Sequence, residues 1–182
     1  MKRFVLGVAL MSLTGCGYNK IQTYDEQVTA YKSQIAVQLQ RRADLIPNLV
    51  ATVRGIAQQE EAVFTAVADA RSRLNGAISG GDVQQMAQAH QGMNGALGRL
   101  LAISESYPEL RSSENFRTLQ DQLEGTENRI ATARADYNGA VRLYNGYIRR
   151  FPAVLTAKAI GSQAHVYFEA EEGATVAPTV EF

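Results

Sequence analysis

Phe116, Leu119, Leu123, Thr126, Ile130, Ala133, Tyr137, Val141, Tyr144, Ile148 and Phe151 follow one another in steps of 3, 4, 3, 4, 3, 4, 4, 3, 4 and 3. This rhythm keeps one side of an α-helix on a single seam, with one four-residue stutter, and rules out the two-residue alternation of a strand. One helix over this stretch is about 54 Å long at about 1.5 Å per residue, so the helices that cover it must be long too.

The rest of the chain supplies such partners. Tyr24, Val28, Tyr31, Ile35 and Leu39 have helical spacing, and the phase continues through Leu45, Leu49, Val53 and Ile56. Two accounts of Pro47 fit: a second helix capped by Asp44 with Pro47 in its first turn, or one helix kinked at Pro47. Length favours the break, because an unbroken helix over 18–75 would reach about 87 Å. The second segment runs through Val63, Phe64, Val67 and Leu74 to a cap at Asn75-Gly76. After the turn Ser79-Gly80-Gly81, Asp82 caps a third helix with the seam Val83, Met86, His90, Met93, Leu97, Leu100, Ser104 and Tyr107. Tyr107-Pro108 closes it, and Ser112 or Ser113 caps the fourth helix. Gly125, Gly139 and Gly146 lie multiples of seven apart, which suggests close backbone approach of a partner helix. Phe151-Pro152 ends the bundle, Ala153 to Ile160 form a short helix stopped by Gly161, and the tail from His165 reads as extended. The tail is expected to lie along the bundle or to reach a partner.

The N-terminus reads as a processing segment. Lys2 and Arg3 precede an apolar run from Phe4 to Leu13, which is too short for a bilayer span of about 20 residues. Leu13-Thr14-Gly15-Cys16 then resembles the bacterial lipobox, in which cleavage before the cysteine leaves an acylated N-terminus. That resemblance makes Cys16 the lipid anchor and residues 1–15 a lipoprotein signal peptide. Gly17 is not the Asp that marks inner-membrane retention, which favours the periplasmic face of the outer membrane in a Gram-negative cell. Without Lys2 and Arg3 the domain keeps 16 basic and 18 acidic residues, a mildly acidic balance with no electrostatic footprint for nucleic acid.

Two stretches carry a family resemblance. Arg42-Ala43-Asp44-Leu45-Ile46-Pro47-Asn48-Leu49-Val50 is the first, followed by Gly55 and Glu60. The second is Leu119-Gln120-x-Gln122-Leu123-Glu124-Gly125-Thr126-Glu127-Asn128-Arg129-Ile130, with Tyr137-Asn138, Val141, Tyr144-Asn145 and Phe151-Pro152. With Ala70-Arg71 and the tail from Phe168 to Pro178, these resemble the LemA family over essentially the whole mature chain. The resemblance implies a membrane-tethered, up-and-down helical bundle with no established activity. It also implies a gene neighbourhood of membrane metalloproteases or small envelope proteins, and one branch that serves magnetosome membranes. Members commonly begin with a transmembrane helix, and here a lipobox stands in its place.

No catalytic kit is legible. His90 and His165 are the only histidines, and neither H-x-x-x-H, H-E-x-x-H nor G-x-S-x-G occurs, so no catalytic residue, metal ligand or cofactor is assigned. His90 lies on a seam and is expected to be packed and hydrogen-bonded. Polar residues beside the seams are more informative: Arg42, Asp44 and Asn48 in the first signature, and Glu124, Glu127, Arg134 and Asn138 in the second. They are candidates for a buried polar layer that fixes helix register, since buried charges persist only when paired. Surface pairing and a ligand site are the rival readings. Tyr137, Tyr144 and Tyr147, near Asn138 and Asn145, form a partial stripe that reads as core before it reads as a peptide or sugar groove. Glu169, Glu171 and Glu172 read as a solvated acidic run.

The expected architecture is all-α: an antiparallel up-and-down four-helix bundle over 16–151, with a short helix and an extended tail over 152–182. The alternative is three long helices with the first kinked at Pro47. The expected role is a non-enzymatic envelope scaffold or adaptor, held to the membrane by its N-terminal lipid and contacting other envelope proteins. The alternative is a ligand- or peptide-binding module using the polar layer.

Overall fold

The computed structural model describes residues 2–168, with side chains from residue 17 onward. Six helices account for most of these residues: α1 Lys2–Arg54, α2 Glu61–Gly80, α3 Val83–Ser106, α4 Pro108–Ser112, α5 Glu114–Ile148 and α6 Ala153–Ala159. Among the described residues there is no strand. The protein is therefore all-α, as the 3/4 spacing requires. The side chains of Leu13, Thr14, Gly15 and Cys16 lie outside the described set, as do Glu169, Glu171, Glu172 and the remaining tail.

The described residues form two compact units, one from 2–35 with 132–167, the other from 36–131 with Phe168. In the second unit four long helical segments meet on one core. Leu39, Ala43, Leu49 and Val53 of α1, Val67 and Leu74 of α2, Met93 and Leu100 of α3 and Ile130 of α5 are each fully buried. Gly81, at φ 67°, takes the left-handed conformation that stops α2, and its N–H reaches the carbonyls of Ala77 and Ile78. Asp82 then caps α3, its carboxylate accepting from the Gln85 N–H at 2.8 Å. Ser113 receives the Phe116 N–H at the start of α5. The expected cap at Asn75-Gly76 does not form, because α2 continues for one more turn to Gly80.

The first helix does not break at Pro47. It runs on to Arg54, and the chain turns between Gly55 and Glu60. A proline inside a helix leaves the carbonyl four residues earlier without its N–H, and here that carbonyl belongs to Ala43. Arg71 of α2 supplies the missing donor, its Nε–H bonding the Ala43 oxygen at 2.9 Å. Asp44 is accordingly no cap; it sits mid-helix and accepts from Gln40 at 2.8 Å.

In the first unit Ile21, Val28 and Ile35 of α1 and Tyr137, Val141 and Tyr144 of α5 are all buried, and Tyr24 of α1 meets Tyr147 of α5. The α5 seam is buried as expected, save that Leu119 is half-buried and Phe151 is 81% exposed. Phe151 lies beyond the last helical residue, where the 3/4 phase no longer applies. The glycines behave differently from the expectation. A Cβ added at Gly139 or Gly146 meets nothing within 4 Å, and at Gly125 only the flexible end of Arg129 at 3.6 Å. No neighbour presses on these positions, so close helix approach does not explain them. The tight glycine is Gly17, where a Cβ would stand 3.2 Å from Thr156 Oγ1 and 3.9 Å from the Ala153 Cα.

Candidate functional site

Arg42, His90, Asn94 and Glu127 converge inside the second unit. Arg42 shares a helical face with Leu39, Ala43, Ile46 and Leu49, and that face turns it inward to 7% exposure. Its Nη1 donates to Glu127 Oε2 at 2.5 Å and to the Leu123 carbonyl at 3.3 Å. Its Nη2 donates to Asn94 Oδ1 at 2.9 Å. Burial pulls the guanidinium below its ordinary value, and the Glu127 carboxylate opposes that pull.

His90 and Asn94 lie one helical turn apart on α3, so both point at the same spot. His90 Nε2 stands 3.3 Å from Glu127 Oε1 and 3.4 Å from Asn94 Nδ2. A carboxylate only accepts, so the Glu127 contact requires an Nε2–H, and with that hydrogen in place the Asn94 Nδ2 contact is an approach of two donors rather than a hydrogen bond. His90 Nδ1, buried without a protein hydrogen bond, is then a bare lone pair rather than a stranded N–H. The cluster thus ties α1, α3 and α5 together through one guanidinium, one carboxylate, one imidazole and one amide.

Of the seven residues expected in a buried layer, the structure brings Arg42 and Glu127 together. Asp44 and Asn48 of α1 are exposed, and so is Glu124, which pairs with Gln120 at 3.4 Å. At about 100° per residue, Asp44 lies some 200° round α1 from Arg42, and Glu124 sits a full residue step from buried Leu123. Arg134 and Asn138 are half-buried and belong to the first unit. His90 is packed and hydrogen-bonded, as its place on the seam implies. Asn94 was missed, and its position four residues after His90 was the available signal.

The tyrosine stripe is also occupied, by the protein's own tail. Buried Asn145 pairs with residue 165 as a neighbouring strand would: its Oδ1 accepts the His165 N–H at 2.9 Å and its Nδ2 donates to the His165 carbonyl at 2.8 Å. The Tyr137 hydroxyl donates to the Val166 carbonyl at 2.9 Å, and burial pushes this phenol's pKa up. His165 Nε2 approaches Asp25 Oδ1 at 2.6 Å, and its ring lies 4.6 Å from that of Tyr144. Tyr147 instead meets Tyr24 edge-on at 5.4 Å. The described start of the tail, at residues 165–166, therefore lies on helices α1 and α5 of its own unit, its main chain bonded by side chains.

Elsewhere an open groove of about 700 Å³ lies between α2 and α3, lined in part by Ala70, Ala89 and Gly92. Its polar rim, including Asp69, Arg73 and Arg99, is exposed. Among the described residues no three His, Cys, Asp or Glu side chains converge as metal ligands, and no helix is long and apolar enough to cross a membrane.

Comparison with known proteins gives a consistent picture. The model of the LemA family matches residues 31–182. The chain is 30% identical over 187 residues to magnetosome proteins MamQ 1 and MamQ 2 of Paramagnetospirillum magneticum strain AMB-1, covering 89% of this chain and 68% of each relative. Magnetosome protein MamQ of Magnetospirillum gryphiswaldense strain MSR-1 is 29% identical over 195 residues, covering 91% of this chain and 72% of the relative.

Proposed function

Since the chain belongs to the LemA family, we propose that it is a membrane-anchored envelope lipoprotein that acts as a non-enzymatic scaffold or adaptor. The observation that carries this reading is how the polar groups are used. Arg42, Glu127, His90 and Asn94 bond to one another across three helices, and Tyr137 and Asn145 hold the protein's own tail. Both constellations serve the fold. Glu127 faces the Arg42 guanidinium and the His90 imidazole from two other helices, an arrangement that suits a register lock.

The anchor rests on the sequence Leu13-Thr14-Gly15-Cys16 behind a short basic and apolar segment. A lipid on Cys16 fixes the protein at a membrane surface, and Gly17 in the next position favours the periplasmic face of the outer membrane. Its partners are other envelope proteins. In-cell crosslinking of the tagged full-length protein is expected to recover the same few envelope proteins from independent cultures. Recovery of nothing above background contradicts the scaffold reading. A screen in which a small envelope-derived ligand raises the melting temperature, as mass action requires of a tight binder, would turn the assignment to a binding module.

A further inference from the structure

We infer that the end of the first unit around α6 is a membrane-docking surface, which lays exposed apolar side chains and three basic residues on the headgroup layer of the membrane that holds the N-terminus. The inference rests on the anchored reading above and adds where the folded domain touches the bilayer.

The placement follows from Gly17. It is buried, and a Cβ there would strike Thr156 Oγ1 at 3.2 Å, so α6 lies directly alongside the first turn after Cys16. A chain tethered at Cys16 holds this end within a few ångströms of the membrane, because one residue of helix advances only about 1.5 Å.

The surface at that end has the composition an interface requires. On its inner side α6 buries Ala153, Thr156 and Ala157. Leu155 within α6 is 61% exposed, Phe151 and Ile160 on either side of it in the chain are 81% and 40% exposed, and Tyr18, next to Gly17, is 46% exposed. Several large apolar side chains left exposed at one end of a unit suit a surface that is covered in use. Interleaved with them are Arg149, Arg150 and Lys158, all exposed.

Charge identifies the occupant. The domain is mildly acidic, yet residues 137–168 contain four arginines and lysines and not one carboxylate. A basic stretch with interleaved Phe, Leu and Ile fits an anionic lipid surface, where the apolar groups enter the headgroup boundary and the cations meet phosphates.

The chain contains no tryptophan, so a single introduced indole reports on its own surroundings. Full-length acylated protein carrying Leu155→Trp is reconstituted into phosphatidylethanolamine–phosphatidylglycerol vesicles, with Ile160→Trp as a second probe and exposed Ala135→Trp on α5 as the control. Docking predicts a blue shift and quenching by brominated lipid at 155 and 160 but not at 135. It also predicts less quenching when phosphatidylglycerol is replaced by phosphatidylcholine, at high salt, or in the Arg149→Ser/Arg150→Ser/Lys158→Ser background. Unquenched indoles at both sites in protein that co-floats with the vesicles overturn the docking surface and leave the anchor standing. Protein that does not co-float at all overturns both.

Discussion

Arg42 and Glu127 show at the level of single residues why a buried charge persists in a helical core. The guanidinium is nearly sealed, whereas the Glu127 side chain is 37% exposed, so the pair is desolvated on one side and wetted on the other. Removing one member of a sealed pair typically costs about 3–5 kcal/mol because the other is left stranded. With one partner reaching solvent, Glu127→Gln is expected to cost about 2–3 kcal/mol in denaturant unfolding. Arg42→Met is expected to cost less, since it removes the desolvated charge itself, and the double variant less than the sum of the two. Additive losses would mean that the contact carries no coupling. The sequence placed these two residues beside the seam but could not separate them from Asp44 and Glu124. That separation depends on helix phase: Glu127 comes one turn after buried Leu123, whereas Glu124 follows it directly and swings outward.

Among the elements, α1 carries the largest departure from expectation. Propensity argues against a proline in mid-helix, but propensity counts only local hydrogen bonds. Arg71 repairs the Ala43 carbonyl from 28 positions away, a contact that no reading of the sequence around Pro47 reveals. It follows that Pro47 and Arg71 act as a pair. Arg71→Met is expected to lose about 1–2 kcal/mol in the native background, where the Ala43 oxygen is stranded. With Pro47→Ala the restored N–H takes that oxygen, and the same arginine change should cost clearly less; equal costs in both backgrounds would contradict the repair. The glycines of α5 teach the reverse lesson. Their spacing of seven suggested a partner helix, yet the space beside Gly139 and Gly146 is open. Gly139→Ala and Gly146→Ala are therefore each expected to stabilise the protein by about 1 kcal/mol, read as a rise in melting temperature. Destabilisation by either would reveal a contact that packing does not show. The caps were better signalled: Asp82 and Ser113 hold the helix starts because their side chains act on donors only three residues away.

At the scale of the molecule, the seam rhythm made the all-helical class legible, since a 3/4 repeat sustained over ten steps suits no other secondary structure. The division into two compact units was not legible, because α1 and α5 contribute to both and their apolar seams run on through it. The described start of the tail, residues 165–168, was legible as extended from its Val, Tyr and Phe content. Its seat was not, because Asn145 and Tyr137 recognise main-chain atoms and leave no signature in the sequence they bind. With Arg42, His90, Asn94, Glu127, Tyr137 and Asn145 engaged in internal contacts, function turns on where the protein is held. The direct measurement compares wild-type and Cys16→Ser protein by metabolic labelling with a fatty-acid probe and by membrane fractionation. Wild-type protein carrying the label in the membrane fraction, with the variant unlabelled and released, is the predicted result. An unlabelled wild type, or a variant that stays in the membrane to the same extent, would contradict it.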